Sequence, residues 1–281
     1  MFDRAYLEIT DVCNLSCAFC PGTVRPPQFI TLPAFSCLSE KLRSCTDYLY
    51  LHVLGEPLLH PELADILHRC RQLDFRVCVT TNGTLLAEKL PVLLSSPALH
   101  KVSISLHSFE GNGRDAGLAA YLSQCWDACT ALAEQGVLCA LRLWNGGGAD
   151  ALNGAICRWL SGVLGQDVTA LPTDRKGNRR LREHIYLEPG EKFDWPHPDA
   201  PERGTQFCYG LRRQIAVLCD GTVVPCCLDG EGRMALGNLL EQDLADILSS
   251  PRAKAIADGF ARRRPAEALC RRCGYALRFH R

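Results

Sequence analysis

The sequence has no apolar run of about twenty residues, no basic start followed by an apolar stretch, and no excess of charge of either sign. Without such a run no membrane span is expected, and without a basic start no secretory signal peptide is expected. Lys and Arg total 31, and Asp and Glu also total 31. This balance creates no overall field that would attract nucleic acid or a membrane surface.

Cysteine, in contrast, is abundant, with 17 residues in a chain of 281. Since no export signal accompanies them, these cysteines predict a reducing cytoplasm and cofactor ligation rather than disulfides. A hydrophobic content of 47% is ordinary for a globular core. The length predicts one large domain and a smaller one.

Three cysteines, Cys13, Cys17 and Cys20, follow an apolar strand-like run near the N-terminus. An odd triplet is a poor disulfide framework, and a closed zinc site needs four ligands. Three thiolates on one short loop suit a [4Fe-4S] cluster, which normally takes one Cys per iron and here leaves one iron open. The alternative is three unrelated core cysteines, because free Cys is often buried.

This spacing, with Phe19 before the third cysteine, resembles the Cys-x-x-x-Cys-x-aromatic-Cys signature of radical S-adenosylmethionine (radical SAM) enzymes. The resemblance implies that the amino and carboxylate groups of S-adenosylmethionine chelate the open iron. It further implies reductive cleavage to a 5′-deoxyadenosyl radical that abstracts hydrogen from a substrate. A reductant such as flavodoxin or ferredoxin is the expected electron donor.

Strand-like and helix-like segments alternate through the first 170 residues, which predicts an α/β fold with a parallel sheet. Strands are expected over 6–10, 48–54, 75–81, 102–106, 137–143 and 168–171. Helices are expected after Thr31 and Pro61 and over 85–94, 121–132 and 151–164. The family resemblance implies a partial (β/α)6 barrel, and six units agree with it. Catalytic groups are then expected at the C-terminal ends of the strands.

The segment Gly55, Glu56 and Pro57 follows the second predicted strand and resembles the Gly-Gly-Glu-Pro motif of radical SAM enzymes, with Leu54 in place of the first glycine. In the family this segment binds the amino group of S-adenosylmethionine. Glycine permits close backbone approach and polar acceptors suit an ammonium. The alternative is a turn that ends a strand before a helix.

The third and fourth predicted strands also end in polar residues. Segment 80–83 either lines the adenosine side or forms a turn, since Asn-Gly is a turn signal. Ser105 matches the serine of the Ser-Leu-Asp segment that contacts the ribose in the family. His107 replaces the aspartate of that segment, so the role of the aspartate is not carried over.

The fifth predicted strand ends with Arg142 and Asn145, and either residue can contact the carboxylate of S-adenosylmethionine. A guanidinium fork suits a carboxylate. Because Arg142 alternates with Leu141 and Leu143, it can equally be an ordinary outward-facing charge.

Three regions are predicted: a radical SAM core over 1–170, a linker along the barrel edge over 171–206, and a C-terminal domain over 207–281. The linker contains a basic cluster over 175–182, read as a solvated loop or as a contact for an acidic or phosphate-bearing substrate. No RNA-binding motif accompanies it, so nucleic acid is an unlikely partner.

The C-terminal region has four cysteines, Cys208, Cys226, Cys270 and Cys273, around a hairpin signalled by Asp-Gly at 220–221. The pattern resembles the twitch domain, a shortened SPASM domain with one auxiliary [4Fe-4S] cluster on four Cys. A zinc ribbon is the alternative for four Cys. Neighbouring Cys226 and Cys227 face opposite ways on a hairpin, so only Cys226 is expected to ligate.

The sequence therefore predicts an enzyme with two [4Fe-4S] clusters and S-adenosylmethionine, acting on a small-molecule or peptide substrate with net oxidation through the auxiliary cluster. Because only four residues precede the first strand, no separate leader-binding domain is expected. Peptide maturation and RNA modification are alternative reactions. A non-catalytic zinc or iron–sulfur module, or a redox sensor, is the alternative from another class.

Overall fold

The computed structural model describes residues 1–114, 116–204 and 206–279, and within these ranges ten strands form a single sheet. The strands are β1 Arg4–Leu7, β2 Tyr48–Tyr50, β3 Arg76–Thr81, β4 Leu99–Ser105, β5 Leu138–Gly146, β6 Arg179–Arg182, β7 Ile185–Glu191, β8 Gln214–Val217, β9 Thr222–Val224 and β10 Gly237–Asn238.

Helices alternate with the first five strands and return at the C-terminal end. The helices are α1 Leu32–Arg43, α2 Leu63–Gln72, α3 Leu86–Leu94, α4 Ser108–Gly111, α5 Leu118–Glu134, α6 Asn153–Leu164, α7 Leu244–Ser249, α8 Pro251–Ala261 and α9 Ala268–Arg271. Short 3-10 turns lie at Pro57–Leu59, Val168–Ala170 and Gly274–Phe279. In the described ranges no helix is both long enough and apolar enough to span a membrane.

The sheet runs in the order β10-β9-β8-β1-β2-β3-β4-β5-β7-β6 and is open rather than closed. Strands β1 to β5 and β7 pair in parallel, as expected for βα units. Strand β8 pairs in parallel with β1, in register Ala5 to Ile215, so the C-terminal hairpin extends the sheet from its first strand. The predicted α/β class and partial barrel are therefore confirmed.

Alternation along each strand separates an apolar face from a polar one. On β1, Ala5 and Leu7 are fully buried in the main core together with residues of the helices. Arg4 and Tyr6 lie on the opposite side, and Tyr6 belongs to a separate cluster with residues of β8 and β9. We call this second side, which carries Arg4, Tyr6, Tyr50, His52, Cys78, Lys101, Arg142 and Glu188, the inner face.

The predicted sixth strand at 168–171 is wrong. Val168–Ala170 forms a 3-10 turn, because the Asp167 side chain accepts the Thr169 N–H at 2.8 Å and closes the turn. The sixth parallel strand is β7, which Pro189 and Gly190 concealed in the sequence because both residues are depleted in strands.

The segment 171–206, predicted as a linker along the barrel edge, contains β6 and β7, and β6 is the outermost strand at that end of the sheet. The basic cluster begins in the turn that precedes β6, at residues 175–178, and continues into β6, which pairs with β7 in an antiparallel hairpin. The pairing of β7 with β5 places the segment within the sheet. The domain division at residues 170 and 207 stays a prediction.

Local signals place the helices correctly. Thr31 caps α1 by accepting the Ala34 N–H at 3.3 Å, and Pro33 lies in the first turn, where its missing N–H costs nothing. Gly165 ends α6 with a φ of +68°, a conformation that glycine adopts without strain. These signals fix where each βα unit turns back and hence where the strand ends meet.

Candidate active site

The loop after β1 presents its three predicted cluster ligands near the surface. Cys13 and Cys20 are exposed and Cys17 is partly buried. The amide of Asn112 orders this loop, because its Nδ2 donates to the Cys17 Sγ at 3.0 Å and its Oδ1 accepts the Ser16 N–H at 2.8 Å. Cys13 has a weaker contact with Asn82 at 3.9 Å.

Phe19, the aromatic residue of the motif, anchors the loop to the end of β4. A side chain at Gly111 would place its Cβ 2.6 Å from the Phe19 ring, so only glycine fits there. The Phe19 ring also lies 4.6 Å from the imidazole of His107, centroid to centroid. The Ala18 N–H donates to the Gly111 carbonyl at 2.7 Å. This packing accounts for an aromatic residue between the second and third cysteines.

The chemistry of these thiols fits an iron–sulfur cluster. Partial desolvation by the surrounding protein raises the pKa of the Cys17 thiol to about 11, and the same effect raises the pKa values of Cys13 and Cys20, although both residues are exposed to solvent on one side. Three neutral thiols become strong ligands only when a metal deprotonates them. Three thiol donors on one loop match the donor set of a cluster with one open iron.

Glu8, which the sequence analysis did not single out, joins the cysteine loop to three other segments. Its carboxylate is fully buried and pairs with the Arg25 guanidinium at 2.8 Å. It also accepts the backbone N–H groups of Leu54 and Cys219, both at 3.2 Å. The available signal in the sequence was a glutamate between Leu7 and Ile9 in an apolar run. A glutamate at such a position is expected to have a partner, since Glu is almost never fully buried unless paired.

Gly55 and Glu56 form a tight turn directly beside the cysteine loop. Gly55 has a φ of +70°, and a Cβ there would lie 2.4 Å from the Thr10 carbonyl oxygen. The carboxylate of Glu56 is buried and accepts the N–H groups of Leu58 at 3.1 Å and Asn82 at 2.6 Å. Burial raises the pKa of Glu56 to about 7. The required glycine and the fixed turn are those that the motif predicts.

The structure brings Ser105 and Arg142 to the same edge, where they pair in the parallel β4–β5 ladder. Arg142 lies on the inner face, and its Nε contacts the Glu188 carboxylate at 3.2 Å while its Nη1 donates to Thr80 Oγ1 at 3.3 Å. His107 is buried, and its Nδ1 lies 3.1 Å from the Arg142 carbonyl. Burial lowers the pKa of His107 to about 4, so the ring is neutral.

Asn145 is buried at the end of β5, and both ends of its amide have protein partners. Its Nδ2 donates to the Ala149 carbonyl at 2.6 Å, and its Oδ1 accepts from Asn153 at 3.0 Å. The amide therefore shapes the following loop. Contacts of S-adenosylmethionine with Gly55, Glu56, Pro57, Ser105, Arg142 and Asn145 stay predictions.

The four C-terminal cysteines converge on one cavity. The cavity is lined by Cys208, Cys226, Cys270 and Cys273 and by apolar side chains that include Met234, Phe260 and Leu269. Burial raises the pKa of the Cys226 thiol, and the neighbouring thiols raise it further. Four ionised thiols this close repel one another, so the donor set fits a bound metal cluster. Cys227 instead packs against the inner-face cluster that contains Tyr6.

A largely parallel open sheet, three thiols at the end of its first strand and a second four-thiol cavity define an iron–sulfur enzyme of partial-barrel fold. The chain belongs to the radical SAM superfamily, whose model matches residues 7–149. Residues 208–274 match SPASM, described as an iron–sulfur cluster-binding domain. The chain therefore binds S-adenosylmethionine through one [4Fe-4S] cluster and carries an auxiliary iron–sulfur cluster, so the zinc alternative is wrong.

Curated relatives include GTP 3′,8-cyclases. That of Limosilactobacillus fermentum is 34% identical over 118 residues, which are 39% of this chain and 35% of that protein. That of Microcystis aeruginosa is 25% identical over 202 residues, 68% of this chain and 59% of that protein. This chain thus spans between about a third and three fifths of the length of these relatives.

Solved structures show the same fold at low identity. BtrN in complex with AdoMet and 2-DOIA has a TM-score of 0.60 at 17% identity, covering 97% of this chain and 93% of that one. SuiB of Streptococcus suis bound to precursor peptide SuiA has a TM-score of 0.57 at 16% identity, covering 98% of this chain and 70% of that one. Both likenesses extend over nearly the whole chain and include the C-terminal region.

Proposed function

We propose that this radical SAM enzyme abstracts a hydrogen atom from a small-molecule or peptide substrate and oxidises the resulting radical through its auxiliary cluster. The observation that carries the proposal is the pair of cysteine sites in one molecule. Three thiols lie on a loop near the surface, and four line a largely apolar cavity. An incomplete ligand set leaves a coordination position for S-adenosylmethionine, whereas a complete set leaves none for substrate.

The cluster on Cys13, Cys17 and Cys20, when bound, supplies the electron that cleaves the sulfonium of S-adenosylmethionine. The residues of the chain hold and enclose this site. Asn112 fixes Cys17, Phe19 packs the loop against Gly111, and Glu56 holds the neighbouring turn. Rigid positioning matters because a radical formed far from its substrate reacts elsewhere.

The four-cysteine site supports an oxidation as the net outcome. A cluster with a cysteine on every iron can accept an electron but cannot chelate a substrate without losing a ligand. Cys227 follows Cys226 directly and contacts the cluster of residues around Tyr6. The auxiliary site is thus joined to the inner face through adjacent residues, a short path for an electron from a substrate held there.

A small molecule is the first candidate substrate, and a peptide is the second. SuiB, of similar fold, is described in complex with a precursor peptide, which favours a peptide, whereas BtrN and the cyclases are described with or named for small molecules. An RNA substrate has only the basic cluster over 175–182 in its favour. We place the reaction in a reducing cytoplasm, with flavodoxin or ferredoxin as donor, because the 17 cysteines lie in described segments and none is joined to another by a disulfide there.

The proposal is tested with protein reconstituted anaerobically with iron and sulfide, then given S-adenosylmethionine and dithionite. We expect 5′-deoxyadenosine from the wild type and none from Cys13→Ala. The matched control is Cys37→Ala on α1, which is outside both cysteine sites and should keep the activity. Absence of 5′-deoxyadenosine from fully loaded wild type would refute the proposed chemistry.

A further inference from the structure

Four cationic side chains gather on the inner face, beyond the cysteine sites. Arg4 comes from β1, Lys101 from β4 and Arg142 from β5, and Arg278 comes from the C-terminal 3-10 turn. Lys101 and Arg142 are largely buried, with 25% and 14% of their side chains exposed. A partly buried wall that carries one sign of charge focuses the field on any ligand in front of it.

One carboxylate on this wall balances only part of the charge. Glu188 binds Lys101 at 2.7 Å and Arg142 at 3.2 Å, so a single negative charge serves two cations. Across the described ranges neither Arg4 nor Arg278 forms an ion pair with a carboxylate; Arg278 donates to the Glu191 backbone carbonyl. The charge of the Glu191 carboxylate also acts on Arg278, so four positive charges face two negative charges. Charges removed from water are costly unless they are paired.

The four cations act on shared side chains: burial raises the pKa of Tyr275, and the charges of Arg278, Arg142 and Arg4 all act to lower it. Burial raises the pKa of the inner-face thiol of Cys78 to about 11, and the charges of Lys101, Arg4 and Arg142 all act to lower it. Arg142 and Arg278 contact the same indole, with their guanidinium carbons 4.4 Å and 5.1 Å from the centre of the Trp144 ring. Stacking on a ring face leaves the N–H groups at the guanidinium edge available to an anion.

A second, independent observation on this face also points to a ligand. The imidazole of His52 packs edge-on against the adjacent rings of Tyr6 and Tyr50, with ring centroids 5.5 Å and 5.9 Å away. Its Nδ1 is buried and has no hydrogen-bond partner within the part of the chain that the structure describes. Buried polar atoms normally have a partner, and the neutral ring of His52 can supply or accept a hydrogen bond beside the cations.

We propose that Arg4 and Arg278 bind an anionic group of the substrate, either a phosphate or a carboxylate, and that the charges of Lys101 and Arg142 add to the attraction. This inference deepens the proposed function and rests on it, because it treats the inner face as the place where the substrate binds. Guanidinium groups suit both anions, since each presents paired N–H donors to paired oxygens. The anchored substrate would then be held on the face that joins the two cysteine sites.

The rival explanation is that these cations only balance the negative charge of the auxiliary cluster. Arg4 and Cys227 act on each other, and Arg278 stacks on Tyr275, which lines the four-cysteine cavity, so two of the four cations are close to that site. Lys101 and Arg142 are instead held by Glu188, and Arg278 by the Glu191 carbonyl. The two explanations predict different effects of Arg278→Gln. If the cations bind a substrate anion, the substitution weakens the affinity for that anion. If they only balance the cluster charge, it shifts the midpoint potential of the auxiliary cluster and leaves the anion affinity unchanged.

The test is isothermal titration of the full, anaerobically reconstituted chain with S-adenosylmethionine present, at constant ionic strength. Inorganic phosphate and malonate are the two probes, titrated separately. We expect the wild type to bind at least one of them, and the tighter probe identifies the anion as phosphate or carboxylate. Arg4→Gln and Arg278→Gln should each weaken binding about tenfold, because each removes a charged hydrogen-bond donor. Arg175→Gln, exposed in the turn that precedes β6, is the matched control and should bind like the wild type.

Absence of binding by either probe in the wild type would overturn the anion site. Equal losses in Arg278→Gln and Arg175→Gln would also overturn it, as would a shift of the auxiliary-cluster potential in Arg278→Gln with unchanged anion affinity. Iron content and thermal unfolding of each variant check that it is folded. Formation of 5′-deoxyadenosine is measured separately. If the protein binds the anion but forms no 5′-deoxyadenosine, the proposed function is contradicted. If it forms 5′-deoxyadenosine but binds no anion, only this inference is contradicted.

Discussion

The two cysteine sites of this chain differ in their number of thiols and in their surroundings. Cys13 and Cys20 are exposed on a loop, whereas Cys270 and Cys273 are buried beside apolar side chains. A site near solvent with three donors can admit a polar, charged ligand such as S-adenosylmethionine. A site with four donors under an apolar cover can exchange electrons but not ligands. The comparison teaches that cysteine can support either ligand binding or electron exchange, depending on the number of thiols at the site and on their burial.

The largest effect is expected from removing one ligand at each site. Cys17→Ala should abolish 5′-deoxyadenosine formation and keep about half of the iron, because the four-cysteine site is untouched. Cys270→Ala should lose about half of the iron yet still cleave S-adenosylmethionine. Iron and sulfide analysis with product detection checks both variants. If Cys270→Ala also lost all cleavage while Cys17→Ala kept it, the assignment of tasks would be reversed.

A second prediction concerns the turn that adjoins the exposed site. Gly55→Ala should destabilise the fold by about 3 kcal/mol, because it combines a left-handed conformation with a Cβ placed against the Thr10 carbonyl. Gly136→Ala is the matched control: its φ is +79° but no atom lies within 4 Å of its Cβ. It should cost about 1 kcal/mol. Equal losses in anaerobic denaturant unfolding would show that the close contact at Gly55 has no energetic weight.

A third prediction uses the pH dependence of stability, because the turn beside the exposed site contains a buried acid with a raised pKa. Burial raises the pKa of Glu56 from 4.5 to about 7, so the folded protein holds this proton more tightly than the unfolded chain does. Stability from this group is present below pH 4.5 and is lost as the pH rises to about 7, by up to about 3 kcal/mol.

Unfolding free energies measured between pH 5 and 8 test this prediction. Glu56→Gln cannot ionise, so its stability should decline less steeply with pH than that of the wild type. Glu62→Gln, six residues further along the chain and exposed, should keep the wild-type slope. Parallel curves for all three proteins would mean that Glu56 does not change its protonation in this range.

The smallest effect is expected from the hydrogen bond to a cluster ligand. Asn112→Ala should lower the midpoint potential of the cluster on the exposed loop, because an N–H donor to sulfur stabilises the more negative, reduced state. Asn112→Asp keeps an acceptor for the Ser16 N–H but removes the donor to Cys17, so it should lower the potential as well. If Asn112→Asp instead had the wild-type midpoint potential, the role of Asn112 would be only to hold the loop through the Ser16 N–H.

Much of this organisation could be predicted from the sequence because it depends on local signals. The cysteine spacing, the cap at Thr31 and the glycine at 221 each act within a few residues. The sixth parallel strand, β7, was not predicted because Pro189 and Gly190 are atypical of strands. Its position depends on pairing with β5, a contact between distant segments of the chain. Arg142 remained ambiguous for the same reason, since its orientation depends on Glu188 in that strand.

The residues that support the exposed site were the hardest to foresee. Glu8 and Asn112 have no motif around them, and their importance comes from partners 46 and 95 residues away. Such contacts arise only when the sheet is assembled, because the C-terminal ends of its strands then meet. A sequence pattern can therefore indicate the ligands of a cluster more readily than the side chains that hold those ligands in place.

The most direct test of the account is Mössbauer spectroscopy of protein reconstituted with iron-57, recorded with and without S-adenosylmethionine. The account predicts that one iron of a single cluster changes its signal, that the other cluster does not respond, and that Cys17→Ala eliminates the response. If neither cluster responded, or if the responding iron belonged to the cluster on Cys208, Cys226, Cys270 and Cys273, the distinction between an open and a closed site would be contradicted.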